Sequence, residues 1–270
     1  MSADITSLLK SVSPKSNSEN TLLYENEYGY GNQRKNYNPS PFKKLWQRLN
    51  ILLAPLGTPV TSILIIINVI MFLVLSFTGG STNIYNLLRW GGGCNYLIYS
   101  YGQIWRLFTS MFLHIGILHL VLNSYSLRNL GNLIERLFGS GKFIIIYLSS
   151  GIWGSIINVI FTPESSTIVS AGASGAIFGL AGAFLYLGVK YPQFFKRVAG
   201  TRFILVILLN LYIGYSMPSI GNLAHIGGLV GGFLTSWALG SPKDIPDFTC
   251  KALRVFIPVM FLLCISSMIL

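Results

Sequence analysis

Residues 172–190 read GASGAIFGLAGAFLYLGVK, and residues 222–240 read NLAHIGGLVGGFLTSWALG. Both runs are apolar, rich in small residues and free of acids. In the first, Gly175, Gly179 and Ala183 recur every fourth residue. In the second, Ala224, Gly228 and Gly232 do the same. Such small-residue stripes let two helices approach closely inside a membrane, where packing rather than hydrophobicity drives association. Close approach of these two runs brings Ser174 towards His225.

The rest of the chain agrees with a membrane setting. Of 270 residues, 52% are apolar and only 10% charged, with 28 glycines and a net charge of +11. A soluble domain carries about 25% charged residues, so this chain has too little polar material to cover a globule. The fold class expected is an all-α polytopic membrane protein. Three cysteines, Cys94, Cys250 and Cys264, form no C-x-x-C pair and no disulfide framework. Between residues 51 and 240 the only acids are Glu135 and Glu164. Paired-carboxylate catalysis and carboxylate-rich metal sites are thereby nearly excluded.

A helix needs about 20 apolar residues to span a bilayer. Seven segments approach that length: 59–77, 113–135, 142–162, 174–190, 202–217, 222–240 and 252–270. The fourth and fifth are short, which suggests helices that start below the membrane surface beside a wet space. Residues 1–41, rich in Ser, Asn, Tyr and Lys, read as a disordered cytosolic tail. Residues 42–58, with Lys43, Lys44, Trp46 and Arg48, read as a basic amphipathic segment on the membrane surface. Lys and Arg concentrate before the first span and in alternate loops after it, at Arg136 and Lys142, Lys190 to Arg202, and Lys243 to Arg254. The positive-inside rule then puts the N-terminus in the cytosol and the C-terminus, after seven spans, in the lumen or exterior. Spans two, four and six all enter from the non-cytosolic side, so polar residues near their starts share one depth. The 78–105 loop, with Trp90, Tyr96, Tyr99 and Trp105, is apolar enough to lie partly in the membrane.

The three histidines, His114, His119 and His225, all fall near those starts. Intramembrane ionisable residues are expensive and mark functional sites by default. A hydroxyl needs an adjacent base to act as a nucleophile, and neutral imidazole is the usual one. Ser174 with His225 supplies that pair. No Asp lies between residues 5 and 243, so the unit is a dyad rather than a triad. The G-x-S-x-G elbow of soluble hydrolases is not matched, because Ala176 takes its last position. His119 and Asn123, four residues apart, share a helix face. With the backbone N–H of Ser174 they supply donors for an oxyanion. His114 is off that face and reads as structural, bonding the 78–105 loop. H-E-x-x-H is absent and a histidine with one asparagine is a poor zinc ligand set, so no metal is expected.

Five motifs occur in order: Trp105-Arg106, His119-x-x-x-Asn123, Glu135-x-x-x-Gly139 with Ser140-Gly141-Lys142, Gly172-Ala173-Ser174-Gly175, and Ala224-His225-x-x-Gly228-x-x-x-Gly232. Together they resemble the rhomboid intramembrane serine proteases over residues 59–240. The resemblance implies a six-helix catalytic core over 59–240 and a seventh transmembrane helix over 252–270, the 6+1 arrangement common in eukaryotic secretory-pathway members. The Asn/Tyr/Lys-rich tail resembles that of parasite rhomboids. It further implies Ser174 as nucleophile, His225 as general base and acid, and His119 and Asn123 as oxyanion donors. Arg106 and Glu135 match positions that hold the first loop and its helix in place. Gly172, Gly175 and Gly228 support the site. Phe178 stands where the family often has a tyrosine for the catalytic histidine to stack on, keeping the ring and losing the hydroxyl.

The function expected is a serine endopeptidase that cleaves single-span membrane proteins within or near their transmembrane helix. It is expected in a secretory-pathway or plasma membrane, with membrane lipid as a further partner and no cofactor or nucleic acid. The alternative is an inactive rhomboid-like protein that binds membrane clients. Such relatives typically lack the serine or the histidine, and both are present here. A transporter would show internal repeats and several intramembrane acids; here there is no repeat and almost no intramembrane acid.

Overall fold

The computed structural model describes residues 57–198, 200–216 and 221–240, together with Ser40, Leu45, Gln47 and 51–53. The tail over 1–41 (Ser40 apart), most of the surface segment over 42–58 and the seventh span over 252–270 lie outside the described residues.

The first long helix shows the solvent this fold is built for. Helix α1, Pro59–Thr78, opens with Pro at its first position behind the extended residue Thr58, where a missing N–H costs nothing. Its buried residues are Thr61, Ser62, Leu64, Asn68 and Leu75. Its exposed ones include Ile66, Ile67, Val69, Ile70, Leu73 and Phe77. A helix that turns polar groups inward and branched aliphatics outward is adapted to lipid, and the chain is a membrane protein. The N-terminal N–H groups of α1 are satisfied by another helix. Glu135 accepts from Val60 N (3.0 Å), Thr61 N (2.8 Å) and Thr61 Oγ1 (2.8 Å). Asn132 Oδ1 accepts from Thr58 N and Oγ1, both at 2.8 Å. A carboxylate at this end also complements the helix dipole.

The segment after α1 folds back in short pieces: α2 (Ile84–Arg89), α3 (Asn95–Tyr101) and α4 (Arg106–Thr109), the last followed by a 3-10 turn over Ser110–Phe112. Helix α5, Ile117–Ser126, passes through a π-helical turn, Leu127–Gly131, into α6, Asn132–Phe138. Helix is thus absent over 113–116, where an unbroken second span is expected. Gly116 takes φ +77°, and the chain turns by 92° between Arg106–Phe112 and Ile117–Phe138. Then follow α7 (Ser140–Ile160), α8 (Ser174–Lys190), α9 (Pro192–Val198), α10 (Gly200–Ser216) and α11 (Asn222–Leu239). The one extended pairing among the described residues is an isolated bridge between Gly93 and Ser170.

By length and composition, α1 and α7 are each sufficient to cross a membrane, and the bent pair from Arg106 to Phe138 makes a third when counted as one. Helix α8 and residues Arg202–Tyr212 of α10 form shorter apolar helices.

Helices α7, α8 and α11 pack most extensively, and glycine explains how. A methyl group on Gly228 would overlap the Gly175 carbonyl, and one on Gly232 the Gly179 carbonyl. The neighbouring glycines turn to the other partner, Gly227 against Ile157 and Gly231 against Trp153. The doublets Gly227-Gly228 and Gly231-Gly232 therefore strip α11 of side chains on two faces and let it sit between α7 and α8. Below this contact lies an aliphatic and aromatic core with Phe143, Ile146, Tyr147, Leu180 and Phe184 fully buried. Helix α10 meets the bundle near its start, where Phe203 packs edge-on to Phe184 at 4.9 Å. Further along, Leu205, Leu208, Leu209 and Tyr212 are exposed.

Candidate active site

Ser174 is the first residue of α8, and His225 lies in the first turn of α11. Because the glycine faces bring these two helix ends together, Ser174 Oγ and His225 Nε2 stand 2.9 Å apart. Phe178, one turn after the serine, lies flat on the imidazole, with ring centroids 4.3 Å apart and planes 9° from parallel. His225 is buried, and its ring is held from one side by the stack and at its tip by the hydroxyl. A serine at the beginning of a helix also has first-turn N–H groups without intrahelical partners, which point where an anion would form.

The residue before Ala173 is Gly172, with φ +137°, a conformation that side chains other than glycine rarely adopt. A second reason for glycine is space. The His119 ring lies against Gly172, where a Cβ would meet its Cε1 at 2.7 Å and its Nε2 at 2.9 Å. His119 of α5 thus approaches the turn that presents Ser174. Asn123, one helical turn further and buried, donates from Nδ2 to the His119 carbonyl at 3.0 Å, which uses one of its two N–H groups. The starts of α5, α8 and α11 therefore meet at one end of the bundle, bringing together Ser174, His225, His119, Phe178, Gly172, Gly175 and Gly228.

Three sequence-derived residues stand apart. His114 is fully buried in the non-helical 113–116 segment, its ring edge-on to His119 at 5.3 Å. It makes no side-chain hydrogen bond to the 78–105 loop. Arg106 laces the first loop, with Nη1 donating to the carbonyls of Leu88 and Gly92 (both 2.8 Å) and Nε to Gln103 Oε1 (2.7 Å). Glu135 caps α1 at the opposite end of the bundle and accepts from Ser140 Oγ at 2.7 Å.

The loop that delivers Ser174 is pinned by residues for which the sequence offers no periodic or motif signal. Gly93 and Ser170 exchange two backbone hydrogen bonds at 2.8 Å, and Gly172 N donates to the Ser110 carbonyl at 3.0 Å. Buried Asn95 donates to the carbonyls of Val159 (3.0 Å) and Thr162 (2.9 Å). It ties the first loop to the end of α7, where the 161–173 loop begins. The Arg106 guanidinium on the Gly92 carbonyl and the backbone bonds of Gly93 with Ser170 and Gly172 with Ser110 form one path of hydrogen bonds towards the serine. Among the described residues, no cluster of three or more His, Cys, Asp or Glu side chains is placed to hold a metal.

The model of the Rhomboid domain matches residues 101–242, about half of the chain, a range that includes Ser174, His225, His119, Asn123 and Phe178. This chain belongs to the rhomboid family. Among individual rhomboid relatives, the rhomboid protease GluP of Bacillus subtilis (strain 168) is 46% identical over 183 residues, covering 68% of this chain and 35% of that protein. The RHOMBOID-like protein 6, mitochondrial, of Arabidopsis thaliana is 42% identical over 137 residues, 50% of this chain and 43% of that protein. The putative rhomboid protease YdcA of Bacillus subtilis is 34% identical over 143 residues, 53% of this chain and 71% of that protein. The chain spans less than half the length of the first two of these rhomboid proteins.

Proposed function

We propose that this rhomboid is an intramembrane serine endopeptidase working through a Ser174–His225 dyad. The observation that carries the reading is the 2.9 Å contact between Ser174 Oγ and His225 Nε2, with Phe178 stacked on the imidazole. Ser174 Oγ attacks the scissile carbonyl carbon while His225 Nε2 takes the hydroxyl proton. The carbonyl oxygen becomes an oxyanion, met by the N–H of Ser174 and the side chains of His119 and Asn123. His225 then gives its proton to the leaving nitrogen, and the C–N bond breaks. Water, deprotonated by His225, cleaves the resulting ester and restores the serine. No carboxylate orients the imidazole. The aromatic stack takes that part.

Six spans built from α1, the α5–α6 helix, α7, α8, α10 and α11, with a seventh over 252–270, complete the reading. The basic loops set the N-terminus in the cytosol and the site in the outer half of a secretory-pathway or plasma membrane. Substrates are single-span proteins in the same bilayer. A transmembrane helix hides its carbonyls in its own hydrogen bonds, so a Gly or Pro within it eases the unwinding that cleavage needs. The glycine and alanine walls around Ser174 favour a small residue before the cut.

The test is labelling with a serine-reactive fluorophosphonate, followed by incubation with single-span substrates and mapping of the cut by mass spectrometry. Labelling at Ser174 and one cut near the outer membrane boundary are expected. An unlabelled serine with intact client binding would instead identify a non-cleaving client-binding protein.

A further inference from the structure

The flat stack of Phe178 on His225 fixes the plane of the imidazole. It does not fix which nitrogen faces the serine, because a half-turn about Cβ–Cγ leaves the ring in the same plane. The proposed chemistry needs one answer. Nε2, 2.9 Å from Ser174 Oγ, must carry a lone pair to take the hydroxyl proton, so in the neutral ring the hydrogen sits on Nδ1. That N–H is buried, and buried donors are ordinarily paired. Nδ1 nevertheless has no hydrogen-bond partner among the described residues. The carbonyl one turn back does not serve. Gly221 O already accepts from Ala224 N (3.0 Å) and His225 N (3.3 Å), which uses both of its lone pairs.

One atom of the same turn has the complementary lack. Asn222 is the first residue of α11, and its Oδ1 is buried and likewise without a partner among the described residues. Residues three apart share a helix face, with Cβ atoms about 5–6 Å from each other. Helical side chains lean back towards the N-terminus, which inclines the His225 ring towards Asn222. Nδ1 and Oδ1 are each two bonds from their own Cβ, so a rotation of the Asn222 side chain joins them. A carboxamide also suits the setting. A carboxylate would add a charge inside the bilayer, which is expensive, whereas an amide oxygen accepts the same N–H without one. The Cys-His-Asn arrangement of papain-like proteases uses an amide in this part.

We propose that Asn222 Oδ1 accepts a hydrogen bond from His225 Nδ1–H and so keeps Nε2 as the free base facing Ser174. Asn222 is a positioning residue. The Ser174 proton moves to Nε2 and on to the leaving nitrogen, Nδ1 keeps its own hydrogen throughout, and Asn222 gains none. The inference rests on the Ser174–His225 reading above.

The test joins kinetics to nitrogen-15 NMR of the full-length chain labelled at its three histidines, with the His225 signals assigned by their loss in His225→Gln. The unaltered protein should show His225 in the single tautomer with hydrogen on Nδ1. Asn222→Leu should show a mixture of tautomers and lower kcat by about ten-fold, with KM within about two-fold. Asn222→Ala removes the same acceptor and serves if the leucine variant fails to fold. Asn222→Asp restores an acceptor, so it should recover the single tautomer and hold kcat within about three-fold of the unaltered protein. A His225 signature unchanged by Asn222→Leu and Asn222→Ala overturns the bond, as does an effect confined to KM, or an aspartate variant no better than leucine. The NMR needs no turnover. A fixed, Asn222-dependent tautomer with Ser174 unlabelled by fluorophosphonate would therefore retire the nucleophile and keep the bond. Normal labelling with a tautomer indifferent to Asn222 would do the reverse.

Discussion

Gly228 lies backbone to backbone against Gly175, so closely that a methyl group on Gly228 would overlap the Gly175 carbonyl. The neighbour is main chain and has no rotamer into which to retreat. Gly228→Ala must therefore push α11 away from α8, and with it His225 from Ser174. Overpacking of this kind costs about 1–3 kcal/mol. A lowered thermal midpoint and a strong loss of turnover are expected. Gly141, near the start of α7, has nothing within 4 Å of where a Cβ would stand. Gly141→Ala should raise stability by about 0.5 kcal/mol and leave turnover intact. Equal behaviour of the two variants in thermal unfolding would refute the close-packing account.

Nucleophile and base act as one unit, so removing either should cost nearly as much as removing both. Ser174→Ala, His225→Ala and the double variant are expected to be similarly inactive while staying folded. The stack on His225 is tested at Phe178. Phe178→Tyr keeps the ring and should hold turnover within about three-fold, whereas Phe178→Ala frees the imidazole and should lower kcat by about ten-fold or more, a misplacement cost. Substantial cleavage by Ser174→Ala would remove the dyad from consideration.

His119 and Asn123 are assigned to the developing oxyanion, so their loss should register in kcat rather than in KM. Removing one donor from a well-formed hole costs about 10²–10³ in rate, and the remaining donors should blunt that for either single variant. His119→Ala and Asn123→Ala measured over a range of substrate concentrations make the check. A change confined to KM would reassign the residue to substrate contact.

Asn95 bonds the end of α7 across the first loop with a buried amide. Asn95→Ala removes the donor shared by the carbonyls of Val159, Thr162 and Pro163 and should cost about 1–3 kcal/mol. Asn95→Asp should be worse, because a carboxylate then faces carbonyl oxygens. Thermal unfolding measures the stability. Limited proteolysis within 161–173 reads whether the loop ahead of Ser174 has come loose, and unchanged protection would show that the backbone bonds of Gly93 with Ser170 and Gly172 with Ser110 hold it without Asn95.

Much of the site was written in spacing. His119 and Asn123 four apart, and Ser174 and His225 each at the head of a small-residue stripe, are relations that helical geometry turns directly into contacts. The stripe through Ala224, Gly228 and Gly232 was legible for the same reason. Its companion through Gly227 and Gly231 has meaning only in space, because one stripe per helix suffices for a two-helix contact and only a three-helix one needs two. The helical break over 113–116 was hidden by residues as apolar as the helix that follows. Asn95 and the Gly93–Ser170 bridge gave no signal, since they depend on where a loop returns in space.

The doubled glycines of α11 have a price in how the protein is made. They leave a segment of 18 residues with four interior glycines, an asparagine and a histidine, less greasy than α1 or α7 and outside the group that is apolar enough to cross a bilayer unaided. Such a segment partitions poorly by itself and gains its place by docking against helices already in the membrane. His225 therefore takes its place only once α7 and α8 are available to receive α11. Until that docking, the 2.9 Å contact between Ser174 and His225 cannot form.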